Sequence, residues 1–122
     1  MPANAVTIAP DGWLTDVDLG DPDLRLAHLR RLIGCAAVHP IRLAGDLLMW
    51  VADTINDDFS LNVAATDLVL LAANTPNQTI YGTVLCTGRS VGADITAIPA
   101  QWARYLANHR AVQRIDPAVR IP

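Results

Sequence analysis

The run Leu47-Leu48-Met49-Trp50-Val51-Ala52 is apolar without a break, and it is bounded by Asp46 and Asp53. A short run of this kind between turn residues reads as a strand. A strand that is apolar at successive positions, rather than at every second one, is expected to be buried on both faces.

The segments around it can be read in the same way. Val6 to Ile8 reads as a short strand, and Pro10-Asp11-Gly12 as a turn in which Pro presets φ and Gly tolerates φ > 0. Trp13 to Leu19 alternates. Trp13, Thr15, Val17 and Leu19 are expected on one face, and Leu14, Asp16 and Asp18 on the other, so residues 5–19 form a hairpin. Asp21-Pro22-Asp23 opens a helix, with Asp21 as N-cap and Pro22 at the first helical position. Leu26, Leu29, Leu32 and Ile33 make its apolar stripe, and Gly34 ends it. Cys35 to Leu43 is extended, and Pro40 within it points to an edge strand or a bend. Ala44-Gly45-Asp46 turns the chain into the apolar strand.

Thr54 to Asp58 is a polar loop. Asn62 is a good N-cap for a helix over Val63 to Ala73. Apart from Thr66 and Asp67 that helix is apolar almost all round, so it is expected to be central and the most buried helix. Asn74 to Gln78 is a loop, and Thr79 to Thr87 is a strand interrupted by Gly82. Gly88 to Asp94 reads as a loop. Pro99 starts a last helix to about Gln113, with Trp102, Tyr105, Leu106 and His109 on one face. The tail from about residue 115 is expected to be loosely held. The resulting order, ββα-ββα-β-α, predicts a single α+β domain over 1–122. It has about five strands in a mainly antiparallel sheet, with three helices.

Composition excludes several classes. A chain of 122 residues with 52% hydrophobic and 17% charged residues is not intrinsically disordered. It contains no apolar stretch of about 18 residues, so no membrane span is expected. Met1-Pro2-Ala3-Asn4 begins nothing like a signal peptide. Cys35 and Cys86 are too few for a disulfide scaffold, and both sit in apolar runs as inert packing. A cytoplasmic location follows. Every basic residue is Arg and every acidic one Asp, and the net charge of -3 argues against a nucleic-acid partner.

The residues that bear chemistry are scattered. Cys35 and His39 lie four apart in an extended segment, roughly 13 Å apart on one face, too far for a thiol–imidazole pair. His28, His39 and His109 fall on three different elements, which disfavours zinc. Asp53, Asp57 and Asp58 lack the central Gly of a calcium loop. Gly88-Arg89-Ser90-Val91-Gly92 is a glycine-rich loop after a strand, but it lacks the Lys-Ser/Thr of a phosphate loop. Arg89 and Ser90 remain candidates for holding an anionic ligand. No catalytic residue, metal site or cofactor is expected.

The charges are unevenly placed. Asp11, Asp16, Asp18, Asp21 and Asp23 crowd the first 24 residues with no basic partner, while Arg104, Arg110, Arg114 and Arg120 lie in the last stretch with Asp116 alone opposing. Arg110 and Arg114 share a helical face. Asp11, Asp16, Asp18, Arg110 and Arg114 are therefore candidate partner-binding residues, for a homo-oligomer or for a host protein. The plainer reading is two solvated faces.

Three stretches resemble a family of small uncharacterised proteins of phages, prophages and plasmids, common in actinobacteria. They are Val51-Ala52-Asp53, Leu61-Asn62-Val63-Ala64-Ala65-Thr66, and Ile80-Tyr81-Gly82-Thr83-Val84-Leu85-Cys86-Thr87-Gly88. The Ile8-Ala9-Pro10-Asp11-Gly12 turn and the Asp94 to Trp102 exit fit the same pattern, so the resemblance covers most of residues 5–102. Val63 stands where the family pattern has Pro. The resemblance implies a mobile-element accessory protein and carries no activity or functional residue with it. The expected function is non-enzymatic: binding of a host protein, such as a defence or regulatory component. A protein that sequesters a small molecule or nucleotide signal is one alternative, and an enzyme with an unrecognised site is another.

Overall fold

A computed structural model describes residues 5–43, 46–53, 59–73, 79–91 and 94–113. The expected turn at Ala44-Gly45, the loops over 54–58 and 74–78, and the tail with Arg114 lie outside the described residues.

The chain runs β1 (Ala5–Ile8), β2 (Leu14–Val17), α1 (Arg25–Ile33), β3 (Val38–Arg42), β4 (Leu48–Ala52), α2 (Val63–Ala73), β5 (Val84–Thr87), β6 (Ser90–Val91), β7 (Asp94–Ile95) and α3 (Ala100–Gln113). Five strands form one antiparallel sheet in the order β2-β1-β5-β4-β3, and β6 pairs with β7 in a separate small hairpin. This is a small single-domain α+β fold.

The β1–β2 turn forms as its sequence dictates. The Ala9 carbonyl accepts from Gly12 N–H at 2.9 Å, with Pro10 between them and Gly12 at φ 91°. Pro40 sits in β3, which pairs only with β4 and is an edge of the sheet. All of β4 is buried, as a strand covered on both faces must be.

Alternating strand residues separate into two cores. On one face Val6, Ile8, Leu14, Met49, Val51, Val84 and Cys86 meet Ala65, Leu68 and Val69 of α2 and Leu106 of α3. On the other, Ala5, Leu48, Trp50, Ala52 and Leu85 meet Leu29 and Ile33 of α1. The sheet is thus the middle layer, with α1 on one side and α2 and α3 on the other. The two buried polar residues among the described ones are both hydrogen-bonded, whereas the buried Trp102 Nε1–H finds no partner among them. Trp50 Nε1–H donates to Thr87 Oγ1 at 2.9 Å, and that hydroxyl donates to the Gly88 carbonyl at 2.7 Å. Asn62 is the other, and is described with the site below.

Several local expectations are corrected. Asp21 makes no side-chain cap; the chain enters α1 through a 3₁₀ turn over Pro22–Leu24, closed by Leu24 N–H to the Asp21 carbonyl. Gly34 does end α1, at φ 81°. The segment before β3 is not extended throughout: β3 begins at Val38. The strand expected from Thr79 begins only at Val84, because Gly82 at φ 79° breaks the extended path and leaves Tyr81 a lone bridge to Leu61. The Gly88–Asp94 loop contains the β6–β7 hairpin, folded back where Gly88 N–H donates to the Thr96 carbonyl at 3.0 Å.

The largest correction concerns α2. It packs on the sheet as expected of a central helix, but its apolar surface runs almost all round and only one side of it is covered. Ala65, Leu68 and Val69 are buried, whereas Val63, Leu70 and Leu71 are exposed. The sheet covers one side of the helix and α3 only flanks it, so its remaining apolar residues have nothing above them among the described residues.

Candidate functional site

The start of α2 is fixed by one side chain. Asn62 is fully buried. Its Oδ1 accepts from Ala65 N–H at 3.0 Å, which is the expected N-cap. Its Nδ2 donates to the Ile8 carbonyl at 2.9 Å and to the Gly82 carbonyl at 2.8 Å. One amide thus ties the helix to the end of β1 and to the turn before β5. Thr66 extends the clamp: its hydroxyl donates to the Asn62 carbonyl at 2.8 Å and accepts from Ile80 N–H at 2.9 Å. The helix is therefore held rigidly at the end from which its exposed apolar side chains begin.

On that rigid helix, Val63, Asp67 and Leu70 point outward at i, i+4 and i+7, with Leu71 beside them. A groove lies between α2 and α3, lined by Ile8, Leu14, Asp67, Leu71, Tyr105 and Leu106. The ring of Trp102 buttresses Tyr105, edge to face at 5.5 Å between ring centres. The groove encloses about 60 Å³. That is room for a few waters, or for one inserted side chain, at ~10–15 Å³ per water. Small-molecule sites measure ~300–1,000 Å³. Asp67 is the single acidic lining residue, and among the described residues it forms no ion pair.

A second cleft, of about 130 Å³, lies on the same side of the sheet at its β3 edge, lined by His39, Val51, Asp53, Thr79 and Tyr81. His39 Nδ1 lies 3.0 Å from Asp53 Oδ1. The register explains the pair: His39 stands opposite Val51, so Asp53 is its diagonal neighbour two residues on. Both side chains are about half exposed, and a pair of this kind contributes ~0–1 kcal/mol. A carboxylate that orients an imidazole is one part of a nucleophile-activating device. Among the described residues, however, no hydroxyl or thiol hydrogen-bonds to His39. Cys35 packs with the core on the opposite face, and its thiol donates to the Ala37 carbonyl at 3.1 Å. Cys86 is fully buried, and burial pushes its thiol up to about 12.

The residues singled out from the sequence take varied places. Arg89 is exposed at the base of the β6–β7 hairpin, where its carbonyl accepts from Thr96 N–H and Oγ1–H at 3.2 and 2.7 Å. Ser90 pairs with Ile95 in that hairpin. Asp11 and Asp18 are exposed and close local turns, accepting from Trp13 N–H and Gly20 N–H, each at 2.9 Å. Asp16 is exposed on the face of β2 that it shares with Leu14. Asp18 lies beyond the end of β2 and does not share that strand face. Arg110 belongs to α3, and Arg114 lies outside the described residues. His28 Nδ1 lies 3.3 Å from the Leu19 carbonyl, joining α1 to the end of the hairpin. No group of three or more His, Cys, Asp or Glu able to hold a metal ion occurs among the described residues. No described helix is long and apolar enough to cross a membrane.

The exposed face of α2 with Tyr105 was missed from the sequence, although a signal for it existed. An eleven-residue helix with polar side chains only at Thr66 and Asp67 has more apolar surface than one sheet face can cover. Comparisons with protein-family models, with curated proteins and with solved structures find no match to this chain.

Proposed function

We propose that this protein is a non-enzymatic binding protein, an accessory of a phage or other mobile element, which acts by docking on a host protein through the outer face of α2 and the adjoining part of α3. The observation that carries this reading is the cluster of exposed Val63, Leu70, Leu71 and Tyr105 on elements that are themselves firmly packed. A contiguous apolar patch on a small domain costs solubility and marks an interaction site. Rigid aromatic and aliphatic side chains around a shallow groove are the usual anchors of a protein interface. The groove suits an inserted side chain better than a metabolite, which favours this reading over sequestration of a small molecule. The mobile-element assignment rests on the sequence resemblance.

The test is affinity capture from the host with the wild-type protein and with Leu70→Asp, both first shown to be folded by circular dichroism. Binding through this face means that a discrete host protein is retained by the wild type and lost with Leu70→Asp. Retention of the same protein by both would place the interface elsewhere.

A further inference from the structure

Resting on that reading, we infer that the occupant of the α2–α3 face is a basic amphipathic helix of the partner, with a Lys or Arg seated against Asp67.

Three observations select this occupant. The first is charge. Asp67 stands between Val63 and Leu70 on the outer side of α2, and lines the groove with Leu71 and Tyr105. A partner that covers this face takes the carboxylate out of water. An uncompensated buried charge is strongly unfavourable, so the partner must bring a cation to it.

The second observation excludes a second copy of this chain in the simplest arrangement. A two-fold axis through the middle of the face would bring Asp67 of one copy onto Asp67 of the other. In an isologous contact the residues at the axis meet their own copies, so in this arrangement the apolar gain would be opposed by two facing carboxylates.

The third is shape. The exposed residues lie at helical spacing beside a groove between two helices, where a third helix packs by setting its ridges into theirs. Strand addition is the other common mode, and the sheet offers little for it. Its outermost strands are β3, which carries Pro40, and β2, a short strand with exposed Asp16. The partner's helix is then read as apolar residues at i, i+3 or i+4 and i+7, with a basic residue within that stripe.

The probe is a yeast-displayed library of helical peptides with randomised outward positions, sorted against the wild-type protein and, in parallel, against Asp67→Lys. Binders are retained for analysis if Leu70→Asp abolishes their binding. Among these the inference expects Lys or Arg to be enriched within the apolar stripe for the wild type. It expects Asp or Glu to be enriched for Asp67→Lys. Asp67→Asn should weaken individual wild-type binders on the order of tenfold. Leu70-dependent binders without a charge preference, or with the same preference against both baits, overturn the inference and leave the docking face intact. A library that yields no Leu70-dependent binder overturns both.

Discussion

Leu68 and Leu71 lie one turn apart on α2, yet Leu68 is 5% exposed and Leu71 is 63% exposed. Leu68 belongs to the core shared with β1, β4 and β5. Leu71 faces the groove. Leu68→Ala should therefore cost ~2–5 kcal/mol in urea unfolding, the range for a truncated core leucine. Leu71→Ala should cost less than ~0.5 kcal/mol. Equal costs would mean that α2 is covered on both sides.

Asn62→Ala should cost about 3 kcal/mol, more than the ~1 kcal/mol of an ordinary N-cap loss. The excess arises because the Ile8 and Gly82 carbonyls lose their donor in a buried place. Asn62→Asp keeps a cap acceptor but supplies neither donor, so it should not rescue stability. Urea unfolding of both variants checks this, and rescue by Asp would reduce Asn62 to a simple cap.

Gly88→Ala should destabilise by ~1–3 kcal/mol through overpacking, seen as a lowered melting temperature. A Cβ at Gly88 would collide with the Ala97 carbonyl oxygen and with Thr96 Oγ1. Gly20→Ala is the control. Its Cβ meets nothing within 4 Å, and only the positive φ of 77° is strained, so the cost should stay near ~1 kcal/mol. A Gly88→Ala protein no less stable than Gly20→Ala would contradict the close approach.

Alkaline pH gives a signed test of the core. Burial raises the Cys86 thiol from 9.0 to about 12. The folded state keeps this proton while the unfolded chain releases it. The contribution is thus fully present below pH 9 and is lost as pH rises from about 9 to about 12, by up to ~1.4 kcal/mol per unit. Between pH 9 and 11 the unfolding free energy of the wild type should fall more steeply than that of Cys86→Ala. At pH 8, Ellman's reagent should titrate one thiol quickly in the folded protein, Cys35, and a second only after unfolding. Two fast thiols would contradict the burial.

Much of the fold was legible because local pattern and final environment agree. The unbroken apolar run of β4 announced two covered faces, Pro40 an edge strand, Gly34 a helix end and Asn62 a cap. What escaped depended on distant partners. Gly82 looked like a flaw within a strand, but its positive φ ends that strand, and its carbonyl receives a bond from Asn62. The hairpin after Gly88 depends on contact with Thr96 and Ala97, which no local spacing reveals. The His39–Asp53 pair requires the β3–β4 register. The exposed apolar face of α2 escaped for a different reason: composition shows how apolar α2 is, but not how many layers cover it.

The most direct measurement of the central claim is site-specific photo-crosslinking in the cells that carry the protein. Benzoylphenylalanine is placed at Leu70 on the outer face of α2, and at Leu24, which is 61% exposed in the 3₁₀ turn leading into α1. The account predicts a discrete adduct with one host protein from position 70 and none from position 24. No adduct at position 70, or equal adducts from both positions, would contradict it.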